Sequence, residues 1–534
     1  SFEFWHTPMI SVPIDIIGGI RIDTVFPPKF SCGNYDLSEE HSGQDGAASF
    51  QVGKPLNVVL ILLESMRGDF FPFDGTTEWA KRFIPDATTR NLAEEITPFY
   101  SKWVQQSNTF YVPHIKTAAG FTHKSLVNIF CSLHALPVKM TQEHTSRLYH
   151  KCLPDLLSST GSYKNHRHFK PLTSDFNFQT ELMANIGYTI DANSEDESDI
   201  EFYGEREFNQ EHNWPASERK KYSANYLGYE DNVLVEPIAE WLDNRLKQKQ
   251  EPFLMSYLSG VTHDPYDYPP ENFWERKEFS KDKKVDGLLN AVAYTDVFLE
   301  KLVSMFKERN LMDSTLFVVM GDHGVNAKNR GYRIATYQQN YEESFNVGVS
   351  FHTENKQVAE QLKKLDRNAL IQNAVWSSID VVPTILDLLQ FHDGKDAKGK
   401  DGLNGKNYNE TITDGRSMLH PSGQRLSFSI PNPGDTVVFR DGAFLIIVPN
   451  KGTLIKLFDL ERDPYQLSPI ILDNKDIYPE GNMELYDWGK NALKFVRKVN
   501  NDLMEAHCSG RRCTDCALSK LLSLETLSQW DEYY

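Results

Sequence analysis

The sequence predicts an α/β fold, a mostly parallel sheet with helices on both faces, followed by a small C-terminal antiparallel subdomain. Continuous apolar runs that end in polar residues recur at "NVVLILLE", "EPFLMSYLSGVTH" and "DSTLFVVMGDHG", the pattern of strands covered on both faces. Amphipathic helical stretches alternate with them: "NVLVEPIAEWLDNRLKQ", "GLLNAVAYTDVFLEKLVSMFKER" and "SSIDVVPTILDLLQ". Strands alternating with helices imply parallel crossovers. From about residue 425 the rhythm shortens to "RLSFSI", "TVVFRDGAFLIIV" and "TLIKLFDL", divided by Pro-Asn-Pro-Gly, Asp-Gly and Lys-Gly turns. That reads as an antiparallel meander.

Four parts follow in order. Residues 1–54 carry Pro and Gly at frequent intervals and only short apolar runs, an arm expected to wrap the main body. Residues 55–424 hold the main α/β domain, 425–483 the antiparallel subdomain, and 484–534 a docked helical tail. No internal repeat is evident, and "DGKDAKGKDGLNGK" is a polar loop.

With 534 residues and 40% hydrophobic content, the chain has material for a large core. Its 74 acidic and 56 basic side chains give a formal charge of -18, which repels phosphate backbones and argues against nucleic acid as a partner. No window approaches the roughly 18 apolar residues of a membrane span, and the chain opens at Ser1 without a signal-peptide pattern. A soluble part of a longer, membrane-anchored protein is the expectation, with the anchor outside the given residues. Six cysteines, at 32, 131, 152, 508, 513 and 516, favour disulfides and an extracytoplasmic, secretory setting. Cys513 and Cys516 have a zinc-compatible C-x-x-C spacing, but no second pair accompanies them. The triplet Asn409-Glu410-Thr411 fits a glycosylated loop.

In an open parallel sheet, ligands bind beyond the carboxyl ends of the strands. Three of the buried runs deliver polar residues there: Glu64, His263, and Asp322 with His323. Thr122, in "GFTHKSLVNIFCSLHALP", meets the same edge at the start of its own helix. Two carboxylates and an imidazole suit Mn²⁺, Mg²⁺ or Zn²⁺ with a coordination position left open. A threonine hydroxyl beside a divalent cation loses its proton more readily, and a helix N-terminus favours the resulting alkoxide. Thr122 is therefore a candidate metal-activated nucleophile. Taken singly, the same residues have plainer readings: Thr122 as a helix N-cap, Glu64 as a strand end paired with Arg67, and His263 as a surface histidine. Asp322-His323 between two glycines has little packing purpose.

Together these segments resemble the alkaline phosphatase and sulfatase superfamily, and within it the lipoteichoic acid synthase (phosphoglycerol transferase) branch. "NVVLILLESMRGDF" resembles the opening strand with its metal-binding acid, "GFTHKSLVNIFCSLHALP" the nucleophile segment, and "SGVTHDPYDYPP" the substrate-histidine loop. "VVMGDHG" resembles the second metal motif, "IDVVPTILDLL" the helix after it, and "LFDLERDPYQ" the usual end of a sulfatase-like domain; the likeness spans roughly 55–460. It implies an alkaline-phosphatase-like fold with Glu64, Thr122, Asp322 and His323 as ligands to one divalent cation, Mn²⁺ before Mg²⁺ or Zn²⁺. Thr122 would also be the nucleophile, and His263 would contact the transferred or leaving group. Sulfatases need Cys or Ser in a Cys-x-Pro-Ser-Arg context, whereas this chain has "THKS" and then Leu. A phosphothreonine route on phosphoglycerol or phosphoethanolamine head groups, from a phospholipid or glycan phosphodiester, is implied instead. The branch's Trp-Asn-Arg stretch is replaced by "DFNFQTELMANIGY", with Gln179 near the arginine's place. Upstream "KNHRHFK" offers His168, Arg167 or Lys170 for substrate binding. The rival readings are a sulfate-ester hydrolase and a catalytically silent binding protein on the same fold.

Overall fold

The computed structural model describes residues 55–472, apart from 118, 136–151, 173–177, 190–200, 214, 226–227, 248–251, 267–273, 328–339, 373–375, 390–414, 420–425, 430–434, 441–443 and 450–454. The expected N-terminal arm, the helical tail, the Asn409 triplet and the cysteines at 32, 508, 513 and 516 lie outside the described residues.

Along the chain come β1 (Asn57–Leu63), β2 (Thr109–Lys116), β3 (Asn165–Phe169), β4 (Phe202–Tyr203), the small hairpin of β5 (Ser223–Asn225) and β6 (Gly228–Tyr229), then β7 (Phe253–Leu258), β8 (Thr315–Gly321) and β9 (Asn346–His352). All but the hairpin join one seven-stranded sheet, ordered β2-β9-β8-β1-β7-β3-β4. β1 lies near its middle, parallel to both β7 and β8. Only β9 runs against its neighbours, β8 and β2.

The apolar runs are buried for the reason the sequence suggests. Val59, Ile61 and Leu63 of β1 face one core, with Leu289, Val292 and Leu299 of helix Lys283–Glu308. Val58, Leu60 and Leu62 face a second core on the other side. There they meet Leu126, Ile129 and Phe130 of α1 (Thr122–Cys131), and Val381 and Ile385 of helix Val381–Leu388. Alternate side chains of one strand thus feed two cores, which requires apolar residues at every position.

Among the strands that the sequence did not announce are β2, β3 and β9, whose runs "TFYVPHIK", "NHRHF" and "NVGVSFH" mix apolar with polar residues. β2 lies at the sheet edge, and its pairing with β9 shifts register between Val112 and Ile115, around Pro113. Proline has no N–H to give a ladder, so edges and bulges are where it fits.

A second sheet of β10 (Leu426–Ser429), β11 (Thr436–Arg440), β12 (Phe444–Val448), β13 (Ile455–Asp459) and β14 (Ile470–Leu472) is antiparallel throughout. It packs on the main body through Phe439 against Phe345, ring centroids 5.7 Å apart. Among the cysteines, Cys131 at the end of α1 is bonded to Cys152. No helix among the described residues is long and apolar enough to cross a membrane.

Three buried histidines make the fold acid-sensitive. Burial pulls His352 down to about 4, His166 to about 4 and His168 to about 3. His352 stacks on Trp103 at 3.8 Å and has Nδ1 2.8 Å from Thr109 Oγ1, while its buried Nε2 has no hydrogen-bond partner. A ring that stays neutral when folded but takes a proton near pH 6.5 when unfolded stabilises the fold above 6.5. That contribution is lost as pH falls from 6.5 toward 4, by at most about 1.4 kcal/mol per pH unit. Urea unfolding at several pH values should show His352→Phe with a shallower stability loss over this window than the unsubstituted chain; equal slopes would contradict the assignment.

Candidate metal centre

Parallel register builds the site. Leu63 of β1 is aligned with Gly321 of β8, so the next residues, Glu64 and Asp322, leave the sheet edge side by side. The Asp322 N–H donates to the Leu63 carbonyl at 3.1 Å, which extends that alignment past the strand ends. The Glu64 N–H donates to Ser259 Oγ at 2.9 Å, and Thr262 Oγ1 donates to the Glu64 carbonyl. Ser259 and Thr262 belong to the loop after β7, so the three central parallel strands are cross-linked where they end.

The backbone then turns sharply at Ser65, which is left-handed with φ 53°. Its hydroxyl donates to Glu64 Oε1 at 2.7 Å and its N–H to Asp322 Oδ1 at 2.8 Å. On the other strand, the two glycines flanking Asp322-His323 are dictated by close backbone approach. A Cβ on Gly321 would lie 2.2 Å from the Met66 carbonyl oxygen, and one on Gly324 1.9 Å from that of Glu343.

His323 Nδ1–H donates to the Gly324 carbonyl at 2.7 Å, which leaves Nε2 as the free lone pair. That Nε2 lies 3.6 Å from both Glu64 Oε1 and Asp322 Oδ2. One ligand atom each from Glu64, Asp322 and His323 fall within 4.8 Å of one another, and all three residues are buried. Thr122 completes the group, with Oγ1 donating to Glu64 Oε2 at 3.0 Å and lying 3.3 Å from His323 Nε2. It is the first residue of α1, and the N-cap position belongs to Phe121. The N-cap reading of Thr122 is therefore corrected. So is the pairing of Glu64 with Arg67, because Arg67 instead forks onto Asp69 at 2.8 and 2.6 Å.

The electrostatics are those of an ion site. Burial, then the neighbouring Glu64 charge, pushes the Asp322 carboxyl up to about 7. Burial would lower His323, but the Asp322 and Glu64 carboxylates outweigh it and raise it. Asp322 Oδ2 is fully enclosed and has no hydrogen-bond partner. Such an oxygen is costly unless an ion or donor meets it. Two oxygens and one imidazole nitrogen fit a divalent cation of the Mn²⁺, Mg²⁺ or Zn²⁺ kind.

The other predicted residues sit differently. His263 directly follows Thr262, is partly exposed, and its Nδ1–H donates to the Asp264 carbonyl at 2.6 Å. Its loop is held by Asp231, which accepts from the N–H groups of Gly260 and Val261 at 3.1 and 3.2 Å. His168 is packed against Phe130, Tyr188 and Phe202, with Nδ1 2.7 Å from Ser256 Oγ. Arg167 is on the alternate face of β3, where Arg245, Tyr203 and Glu201 influence it. Lys170 is fully buried just beyond β3, donates to Gln179 Oε1 at 3.1 Å, and lies 5.5 Å from the Phe202 ring centroid. Sequence reasoning missed Ser65, Ser259 and Thr262; hydroxyl residues after a strand carry no signal until the neighbouring strands are known.

Comparison with known proteins gives this geometry a family. Lipoteichoic acid synthase 1 of Bacillus subtilis (strain 168) is 22% identical over 428 residues, covering 77% of this chain and 54% of the relative. Lipoteichoic acid synthase of Staphylococcus aureus (strain USA300) is 23% identical over 361 residues, 66% of this chain and 46% of the relative. The chain thus spans about half the length of these curated relatives. The crystal structure of the lipoteichoic acid synthase LtaP from Listeria monocytogenes superposes with a TM-score of 0.54 at 16% identity, over 85% of this chain and 94% of that one. A protein of the alkaline phosphatase superfamily from Vibrio parahaemolyticus also gives 0.54 at 16% identity, over 85% and 89%. These likenesses carry the fold, and the predicted α/β architecture with its antiparallel appendage is the one found. Residues 56–391, more than half of the chain, match the Sulfatase family model, and the chain accordingly belongs to the sulfatase family, as an enzyme of the alkaline phosphatase superfamily.

Proposed function

We propose that the chain is a divalent-cation-dependent phosphotransferase or phosphodiesterase that works through Thr122 on phosphoglycerol- or phosphoethanolamine-type head groups. The observation that carries this reading is the hydroxyl of Thr122, 3.0 Å from Glu64 Oε2 and 3.3 Å from His323 Nε2, at the head of a buried helix. Glu64, Asp322 and His323 would hold the cation, Mn²⁺ for preference, which supplies charge neutralisation for the phosphoryl oxygens and acidifies the hydroxyl.

The residues then have distinct tasks. Thr122 Oγ1 attacks phosphorus in line, a Thr–O–P bond forms, and the bond from phosphorus to the leaving alcohol breaks. Glu64 Oε2, which accepts from the hydroxyl in the unloaded site, orients it, and the proton leaves to solvent. His263 protonates the departing alkoxide. An acceptor alcohol or water then gives its proton to His263, now neutral, and attacks phosphorus; the Thr–O–P bond breaks and Thr122 Oγ1 takes a proton back from solvent. Lys170, held by Gln179, is the candidate cation for the substrate phosphate.

The relatives named lipoteichoic acid synthases support phosphodiester chemistry over sulfate-ester hydrolysis. So does side-chain chemistry: formylglycine is an aldehyde made from Cys or Ser, whereas oxidising a threonine, with its methyl on Cβ, gives a ketone. The Cys131–Cys152 bond supports an extracytoplasmic setting for a membrane-anchored enzyme.

With a phosphatidylglycerol head-group analogue and Mn²⁺, Thr122→Ala should lose turnover by on the order of 10⁴-fold or more while still binding Mn²⁺. Acid-quenched wild-type enzyme should carry a phosphoglycerol adduct on the peptide holding Thr122. An active Thr122→Ala variant would refute the nucleophile. Chelation should abolish turnover and added Mn²⁺ restore it, whereas Glu64→Gln should stay inactive at every Mn²⁺ concentration; full activity after exhaustive chelation would remove the cation from the reading.

A further inference from the structure

We propose that Ser65 is the positioning residue of this centre: its hydroxyl and its backbone N–H each hold one carboxylate, so that the second oxygen of each is presented to the cation. The inference rests on the cation reading above and deepens it.

Two donors on a single residue meet both carboxylates. Ser65 Oγ takes Glu64 Oε1 at 2.7 Å, and Ser65 N–H takes Asp322 Oδ1 at 2.8 Å. The Asp322 Oδ1 atom also accepts from the His323 N–H at 2.7 Å, so its direction is doubly fixed. What remains is Glu64 Oε2, turned to Thr122, and Asp322 Oδ2, which has no hydrogen-bond partner. Asp322 is thereby divided into one oxygen bound to the backbone and one without a partner, and Glu64 into one oxygen held by Ser65 and one turned to the proposed nucleophile.

The backbone supplies the second line of argument. Ser65 has φ 53°, a left-handed conformation that an L-residue with a Cβ adopts at a cost of roughly 1–2 kcal/mol. Glycine would relieve that cost. A serine whose only task was to make the turn would be inferior to glycine there, so the hydroxyl needs a reason of its own. The bond to Glu64 provides it: a free glutamate has several rotatable bonds, and fixing them before the ion arrives removes an ordering penalty from binding. Loss of such an outer partner typically weakens metal affinity by about 10–100-fold.

Glycine substitution separates the positioning role from a merely structural one, because the two readings predict opposite effects. Mn²⁺ titration by calorimetry, with the Mn²⁺-dependent rise in melting temperature as a second readout, should be run on wild type, Ser65→Gly and Ser65→Ala. Urea unfolding without metal gives the stability of each. We expect Ser65→Gly to match or exceed wild-type stability without metal and yet bind Mn²⁺ about 10–100-fold more weakly, with a smaller rise in melting temperature. Ser65→Ala, which keeps the Cβ and loses the hydroxyl, should weaken Mn²⁺ binding to a similar extent. Variants that bind Mn²⁺ within twofold of wild type overturn the inference alone. A wild-type chain that binds neither Mn²⁺, Mg²⁺ nor Zn²⁺ overturns it together with the cation reading.

Discussion

The in-register parallel pairing of β1 with β8 is the constraint on which the site depends. Adjacent strands lie about 4.8 Å apart, and the alignment of Leu63 with Gly321 brings Glu64 and Asp322 out as immediate neighbours. A slip of one residue would set one acid beside a backbone glycine and send the apolar run into the wrong core. The same hydrophobic alternation that fills both cores therefore fixes the spacing of the carboxylates. Packing and chemistry are specified by one register.

Two acids held together in an apolar body oppose folding unless something compensates. Burial and mutual repulsion raise Asp322 to about 7, and the protein supplies only part of the compensation, through Ser65, the His323 N–H and the His323 ring. Arg67, the nearest arginine in sequence, is committed to Asp69 and stacked over Phe70. A bound cation would meet the remaining demand, the usual trade between stability and function at a charged site. Asp231 is also raised by burial, to about 6, but each of its oxygens meets a donor, from Tyr257, Gly260 and Val261, so it anchors the His263 loop.

How much of this was legible in the sequence follows from the same physics. β1, β7 and β8 could be read because a central parallel strand must be apolar on both faces, and Gly-Asp-His-Gly because two glycines around two polar groups signal backbone crowding. β2, β3 and β9 could not, since His, Gly, Ser and Pro interrupt their runs and only neighbours define them as strands. The role of Ser65 was invisible for another reason: left-handed backbone at a non-glycine has no local signature. The basic cluster "KNHRHFK" was legible as composition only. Strand alternation separates Arg167 from His168, and burial strips His168 of its charge.

Helix α1 shows how the far side of the fold bears on the hydroxyl at its head. All ten of its residues are buried, including His123, Lys124, Ser125 and Asn128. A helix buried on every face is ordinarily apolar, so these polar groups restrict how α1 can shift or rotate without breaking bonds. Ser125 Oγ donates to the Ala119 carbonyl at 3.0 Å near the start, and Asn128 Nδ2 donates to the Leu133 carbonyl near the end. Beyond it, Ser132 in left-handed backbone donates to the Ile379 carbonyl, and Cys131 is bonded to Cys152. Attack geometry tolerates errors of only about half an ångström, and a single hydrogen bond from Thr122 to Glu64 would not hold a helix to that. Tethers at both ends and packing on every face add to that bond, so the reach of the proposed nucleophile depends also on contacts about 15 Å from its oxygen, one helix length away.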